Sequence, residues 1–169
     1  TKGNLLSLCV DISTEIVSLA LNLDYTIAKD KVLKSISSGK ALDTLSKMIE
    51  YQGGNANVVD DYSLFDIPKY SCEVKSKVNG YIHLIDSQEV GIVSLNLGAG
   101  RHTKLDSIDY SAGIVFNRQV GDAVSIGDTI ATLYSSKVSD FSQAEDRLLK
   151  AITFDSLQPS KKDVLIEKV

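Results

Sequence analysis

The sequence predicts an α+β fold, a short helical segment followed by a mixed α+β unit whose sheet is mainly antiparallel. Three observations predict it. Apolar residues recur at steps of three and four through residues 5–49, they fall in short alternating stretches from residue 70 onward, and a polar, turn-rich segment at 55–68 separates the two patterns.

Within residues 5–23, Leu5, Leu8, Cys9, Ile12, Ile16, Leu19, Ala20 and Leu23 share one helical face. A second helix begins near Thr26, whose hydroxyl can cap the donors of the next turn. It carries Ile27, Leu33 and Ile36 and stops at Gly39. A third carries Ala41, Leu42, Leu45, Met48 and Ile49 and ends at Gly53-Gly54. Three short one-sided helices make a small core, so they are expected to pack on a partner outside this sequence. Residues 55–68, with Asp60-Asp61 and Pro68, read as a linker.

Beyond the linker, Tyr70, Cys72 and Val74 alternate with polar residues, and residues 81–85, 114–116 and 130–134 are further strands. Residues 90–97 fit two templates. Ile92 and Val93 are β-branched, as in a strand, whereas Val90, Val93 and Leu97 form a helical stripe ending at Gly98. After Ser139 a helix sets Phe141, Ala144, Leu148, Leu149 and Ile152 on one face, and residues 164–166 close the chain as a strand. Residues 81–86 and 124–128 are a possible pair of quasi-repeats, each a strand entered through a glycine turn.

A chain of 169 residues, 43% hydrophobic and 24% charged, can bury one sizeable core, or one core and a small appendage. The charge of −4, the pI near 5.1 and the scattered lysines argue against nucleic acid as a partner. No apolar run approaches the roughly 20 residues of a spanning helix, and no basic leader precedes an apolar one. A cytoplasmic protein without a membrane partner is therefore expected. Cys9 and Cys72 lie far apart without CxxC spacing, which points to two small buried hydrophobes and not to a disulfide or zinc site. With Thr1 first and Met48 the sole methionine, the sequence reads as a fragment.

Candidate chemistry is sparse. Gly98-Ala99-Gly100-Arg101 could bring backbone amides and a forked cation to an anion, but a phosphate loop follows a strand and opens a helix, and these glycines end an apolar element. A tight turn with Arg101 paired to Asp106 or Asp109 is the expectation. His83 and His102 have no metal-ligand spacing, and Asp106 and Asp109 lack a third ligand, so no metal site is assigned. Ser135 and Ser136 sit in no Gly-x-Ser-x-Gly elbow. No catalytic or substrate-binding residue is assigned, and no cofactor. Residues 120–137, two Gly-Asp turns around a short strand and then a longer one, resemble the swinging arms that carry biotin or lipoate, with Lys137 near the attachment position. It lies in Ser136-Lys137-Val138, not in the arms' usual Met-Lys-Met or Asp-Lys-Ala, so it is expected to be a solvated lysine.

The order Gly53-Gly54-Asn55, Gly80-Tyr81-Ile82, EVGIVSLNLGAGRHTKLDSID at 89–109 and VGDAVSIGD at 120–128 resembles the C-terminal part of the pyrimidine-nucleoside phosphorylases, the family that includes thymidine phosphorylase. The likeness runs, with gaps, from about Leu5 to the end. It implies that residues 1–57 are the last helices of the family's α/β domain, 58–69 a linker, and 70–169 its C-terminal α+β domain with a hammerhead or barrel-sandwich-like sheet. It also turns residues 90–97 toward helix. The family cleaves pyrimidine nucleosides reversibly with inorganic phosphate, giving free base and (deoxy)ribose 1-phosphate. Its phosphate loop and its base-binding Arg, Ser and Lys come from the N-terminal half, which also makes most of the homodimer contact, so the fragment itself is expected to be inactive. Its two large domains open and close. Gly98, Ala99, Gly100, Arg101 and His102 are then candidates for a loop that orders on closure. Asn55-Ala56-Asn57 stands where the family more usually has an acidic residue, which leaves the subgroup unassigned.

Overall fold

The computed structural model describes residues 4–160. The strand expected at 164–166 lies outside the described residues. The chain divides into two compact units between Leu64 and Phe65.

The first unit is helical: α1 (Asn4–Leu21), α2 (Tyr25–Ser37) and α3 (Lys40–Tyr51), followed by two short 3-10 turns, Ala56–Val59 and Tyr62–Leu64. α1 and α2 pack on each other and bury Val10, Thr14, Ala28 and Val32. This corrects the expected face. Leu5, Ile16 and Leu19 are 66%, 60% and 82% exposed, and Cys9 is exposed as well. α1 is apolar around most of its circumference, so the three-four spacing fits two faces. The helix pair buries the one with smaller side chains, where Thr14 satisfies its hydroxyl by donating to the Val10 carbonyl at 2.7 Å. The cap of α2 is also corrected. It is Asp24, whose carboxylate accepts from the Thr26 amide at 2.8 Å, because Thr26 already lies inside the first turn. Among the described residues no single helix is long and apolar enough to cross a membrane.

The second unit is α+β: β1 (Tyr70–Lys75), β2 (Gly80–Ile85), α4 (Ser87–Ser94), β3 (Gly113–Phe116), β4 (Ala123–Val124), β5 (Thr129–Ser135), α5 (Ser142–Lys150) and β6 (Ile152–Asp155). The strands make two three-stranded sheets, ordered β1-β5-β3 and β4-β2-β6, with every pairing antiparallel. No closed barrel forms among the described strands. The mixed α+β class predicted from the sequence is the one observed. The possible repeat halves are neighbours in one sheet, Gly80 facing Val124 and Tyr81 facing Ala123, and most of 124–128 is turn. In each Gly-Asp turn the aspartate accepts from the amide three residues earlier, Asp122 from Gln119 at 2.8 Å and Asp128 from Ser125 at 3.1 Å.

α4 and α5 pack together and, with Phe141 just before α5, contribute Val93 and Leu148 to a core shared with Val74, Ile82, Leu97, Val124, Ile130 and Leu133. Full burial of side chains such as Leu97, Leu133 and Leu148 stabilises by about 1.5–3 kcal/mol each relative to exposure. β5 is the middle strand of its sheet, and Ile130, Ala131, Leu133 and Ser135 are fully buried along it. Ile152 does not extend the helical face of Leu148. α5 stops at Lys150, and Ile152 starts β6 opposite Ile85, since 152–155 completes the edge of β2. That pairing requires a glycine at position 80, where a Cβ would stand 2.5 Å from the Asp155 carbonyl oxygen. Cys72 is half-buried, and burial, with Glu145 and Glu73 nearby, pushes its thiol pKa up, which leaves it a poor nucleophile.

Candidate functional site

The segment that leaves α4 is held by its own polar residues. Asp86 caps α4 by accepting from the amides of Gln88 at 2.9 Å and Glu89 at 3.2 Å. The helix then widens into a π turn, Leu95–Ala99. At Gly98 the backbone takes φ 108°, and a Cβ there would lie 3.2 Å from the Cβ of Asp109. The glycine is needed for this close approach: the Asp109 amide donates to the Gly98 carbonyl at 2.9 Å and closes the base of the segment. Residues 90–97 are thus helical, with Gly98 ending the element as its stripe predicts.

Two aspartates shape the loop beyond Gly98. Asp106 accepts from the amides of His102 and Thr103, both at 2.9 Å, and from the Thr103 hydroxyl at 2.8 Å, and chiefly that hydroxyl holds its carboxyl below the usual aspartate range. Asp109 is buried and accepts from the Ser111 hydroxyl at 2.6 Å, the Ser111 amide at 3.0 Å and the Ser136 amide at 2.6 Å. The Ser111 hydroxyl is the main cause of its lowered pKa. Both carboxylates are therefore occupied, and the expected pairing with Arg101 does not form. Arg101 makes no ion pair among the described residues.

Of the residues singled out, Arg101 and His102 stand exposed beside Lys104 on this segment. Leu105 and Tyr110 are exposed too, at 96% and 84%. His102 also borders a cleft of about 620 Å³ with Asn96, Asp140, Gln143 and Arg147. Arg147 is held there by Glu89, Nε to Oε2 at 2.7 Å. His83 is exposed on β2, in another sheet from the loop's anchor strand, so the two histidines do not share a site. No group of three His, Cys, Asp or Glu able to hold a metal occurs among the described residues.

Lys137 is anchored. Its ammonium donates to the Ser107 carbonyl and to the Ser107 hydroxyl, the latter at 2.9 Å, because the end of β5 runs beside the loop. The side chain is exposed, as expected of a solvated lysine, and the contact with Ser107 is what the sequence did not indicate. Sequence reasoning weighed the two serines before Lys137 only as nucleophiles and missed their role as anchors. Ser135 is fully buried, donates to the Leu97 carbonyl at 2.7 Å and accepts from the amides of Lys137 and Val138 at 3.0 and 2.9 Å. The Ser136 hydroxyl lies 2.9 Å from that of Ser111 and accepts from the Lys69 amide at 3.2 Å. The available signal was a Ser-Ser-Lys run at a strand's end, where hydroxyls commonly accept from amides two and three residues on.

The loop thus offers an outward cationic edge, while the nearby serine hydroxyls are committed to structural partners. Residues 81–155 match the family model for the pyrimidine nucleoside phosphorylase C-terminal domain. The chain is 37% identical over 131 residues to a pyrimidine-nucleoside phosphorylase of Geobacillus stearothermophilus, an alignment covering 77% of this chain and 30% of that protein. It is 34% identical over 152 residues to the pyrimidine-nucleoside phosphorylase of Staphylococcus aureus (strain USA300), covering 89% of this chain and 35% of that protein. The chain spans about a third of the length of the curated relatives it matches.

Proposed function

Because the chain belongs to the pyrimidine-nucleoside phosphorylase family through its C-terminal domain, we propose that it furnishes the C-terminal part of an enzyme cleaving pyrimidine nucleosides with inorganic phosphate. In that reaction a phosphate oxygen forms a bond to the anomeric carbon while the bond to the base nitrogen breaks. The electron pair and then a proton go to the base, leaving free base and (deoxy)ribose 1-phosphate. Placement of phosphate and stabilisation of charge on the departing base supply most of the rate. Residues 1–57 complete the α/β domain, 58–69 link, and 70–169 form the C-terminal domain. The groups that touch phosphate and base lie in the N-terminal part of such an enzyme, a cytoplasmic homodimer without a cofactor, and this polypeptide alone has no phosphorolytic activity.

The contribution of this chain is the loop Gly98-Ala99-Gly100-Arg101-His102, which orders as the enzyme closes and brings Arg101 to the mouth of the cleft. The supporting observation is its build: an exposed arginine without a carboxylate partner among the described residues, on a segment whose two aspartates are saturated by amides and hydroxyls.

A chimera tests this. The matched third of the Geobacillus stearothermophilus enzyme is replaced by this chain, and thymine release from thymidine is followed with and without phosphate. Phosphate-dependent release by the chimera, and none by the 169-residue polypeptide, is expected. A folded but inert chimera, or an active isolated polypeptide, contradicts the reading. Arg101→Ala in the chimera is expected to lower kcat/KM by about tenfold, roughly 1.4 kcal/mol of barrier. Unchanged kinetics remove the loop from the proposal.

A further inference from the structure

Three consecutive residues at the end of β5 each hold a different point of the segment that carries Arg101. Ser135 holds its start through the Leu97 carbonyl. Ser136 holds its end, with the amide on Asp109 and the hydroxyl beside Ser111. Lys137 reaches its crest at Ser107. β5 lies between β1 and β3 and is buried, so these anchors project from a stiff strand. Such a loop costs about 1–2 kcal/mol of backbone entropy per ordered residue, which its own bonds at Asp106 and Asp109 and the anchors from the end of β5 offset together.

We propose that Ser135, Ser136 and Lys137 form a latch, a set of positioning residues that holds the flanks of the loop at Leu97, Ser107, Asp109 and Ser111 and so limits where Arg101 and His102 can stand when the loop orders. The latch rests on the proposed role of that loop in phosphorolysis. Lys137 is the member that sets the crest, and because it is exposed it can be altered without opening the core. Ser135, fully buried, serves the latch and the fold together.

The test uses Lys137→Met, which keeps the aliphatic stem and removes the donors, and Lys137→Arg, which keeps donors. Hydrogen exchange is measured on the 169-residue polypeptide. Lys137→Met is expected to speed exchange at the Asp106 and Asp109 amides by about tenfold, equivalent to roughly 1.4 kcal/mol, while the amides of β5 stay protected. Lys137→Arg is expected to restore most of the protection. In the active chimera the same substitution is expected to lower kcat several-fold with a smaller change in KM, again rescued by arginine. Unchanged exchange in Lys137→Met, or arginine behaving as methionine does, overturns the latch. An inert unmutated chimera removes the phosphorolysis reading instead, and the exchange experiment still decides whether Lys137 holds the loop.

Discussion

Replacement of Ser135 by alanine isolates the fully buried member of the β5 end. A hydroxyl has one proton to donate and two lone pairs to accept with, and Ser135 uses all three, on the Leu97 carbonyl, the Lys137 amide and the Val138 amide. Each bond contributes about 0.5–1.5 kcal/mol net, so the sum is about 3 kcal/mol. Water can partly replace the two amide bonds, because Lys137 is exposed and Val138 only half-buried, whereas the space left at the Leu97 carbonyl is one oxygen wide and too small for water. A loss of about 2–3 kcal/mol results. With a urea slope of about 1–2 kcal/mol per molar for a unit of this size, the midpoint falls by roughly 1–3 M. Urea titration followed by the amide resonances of β3 and β5 reads that unit directly. A midpoint shift below about 0.3 M, roughly 0.5 kcal/mol on the same slope, would refute the reasoning, because it would mean that the three bonds carry no net energy.

Other substitutions separate backbone from side-chain effects. Gly98→Ala places a Cβ at φ 108° and 3.2 Å from the Asp109 Cβ, and should cost about 2 kcal/mol; Gly113→Ala, with open space around it, should leave the thermal midpoint nearly unchanged. Acid should loosen the loop in a defined direction. The folded pKa of Asp109 is lowered, so its stabilisation is fully present above the unfolded value of about 4 and is lost as pH falls through the folded value. Loop-amide exchange measured from pH 6 down to 3, after correction for intrinsic rates, should rise only at the acid end and should flatten in Asp109→Asn; loosening toward pH 6 would contradict the assignment. Arg147→Met should cost no more than about 1 kcal/mol by thermal melting, since Arg147 and Glu89 are each more than a third exposed.

Much of the candidate site was legible as elements and little as contacts. Spacing left residues 90–97 open between strand and helix, and the family resemblance turned them to the helix that forms, whereas the stop at Gly98 is a local property of the glycine. The tie between Asp109 and Ser136 could not be read, since the partners are 27 residues apart and meet only when β5 pairs with β1 and β3. The pairing predicted for Arg101 failed for a local reason. Nearness in sequence suggested Asp106 and Asp109, but backbone amides and short hydroxyls compete for carboxylates at shorter range than a long side chain with more entropy to lose.

Sequence alone determined the α+β class and the strands expected from Tyr70 and over 130–134, which form as Tyr70–Lys75 and Thr129–Ser135, because periodicity is written residue by residue. Tertiary structure decided which of two apolar faces α1 buries, that Ile152 starts a strand, and that Ser135, Ser136 and Lys137 converge on one loop. Those outcomes depend on which surface arrives opposite each residue, and chain folding, not local preference, brings that surface there.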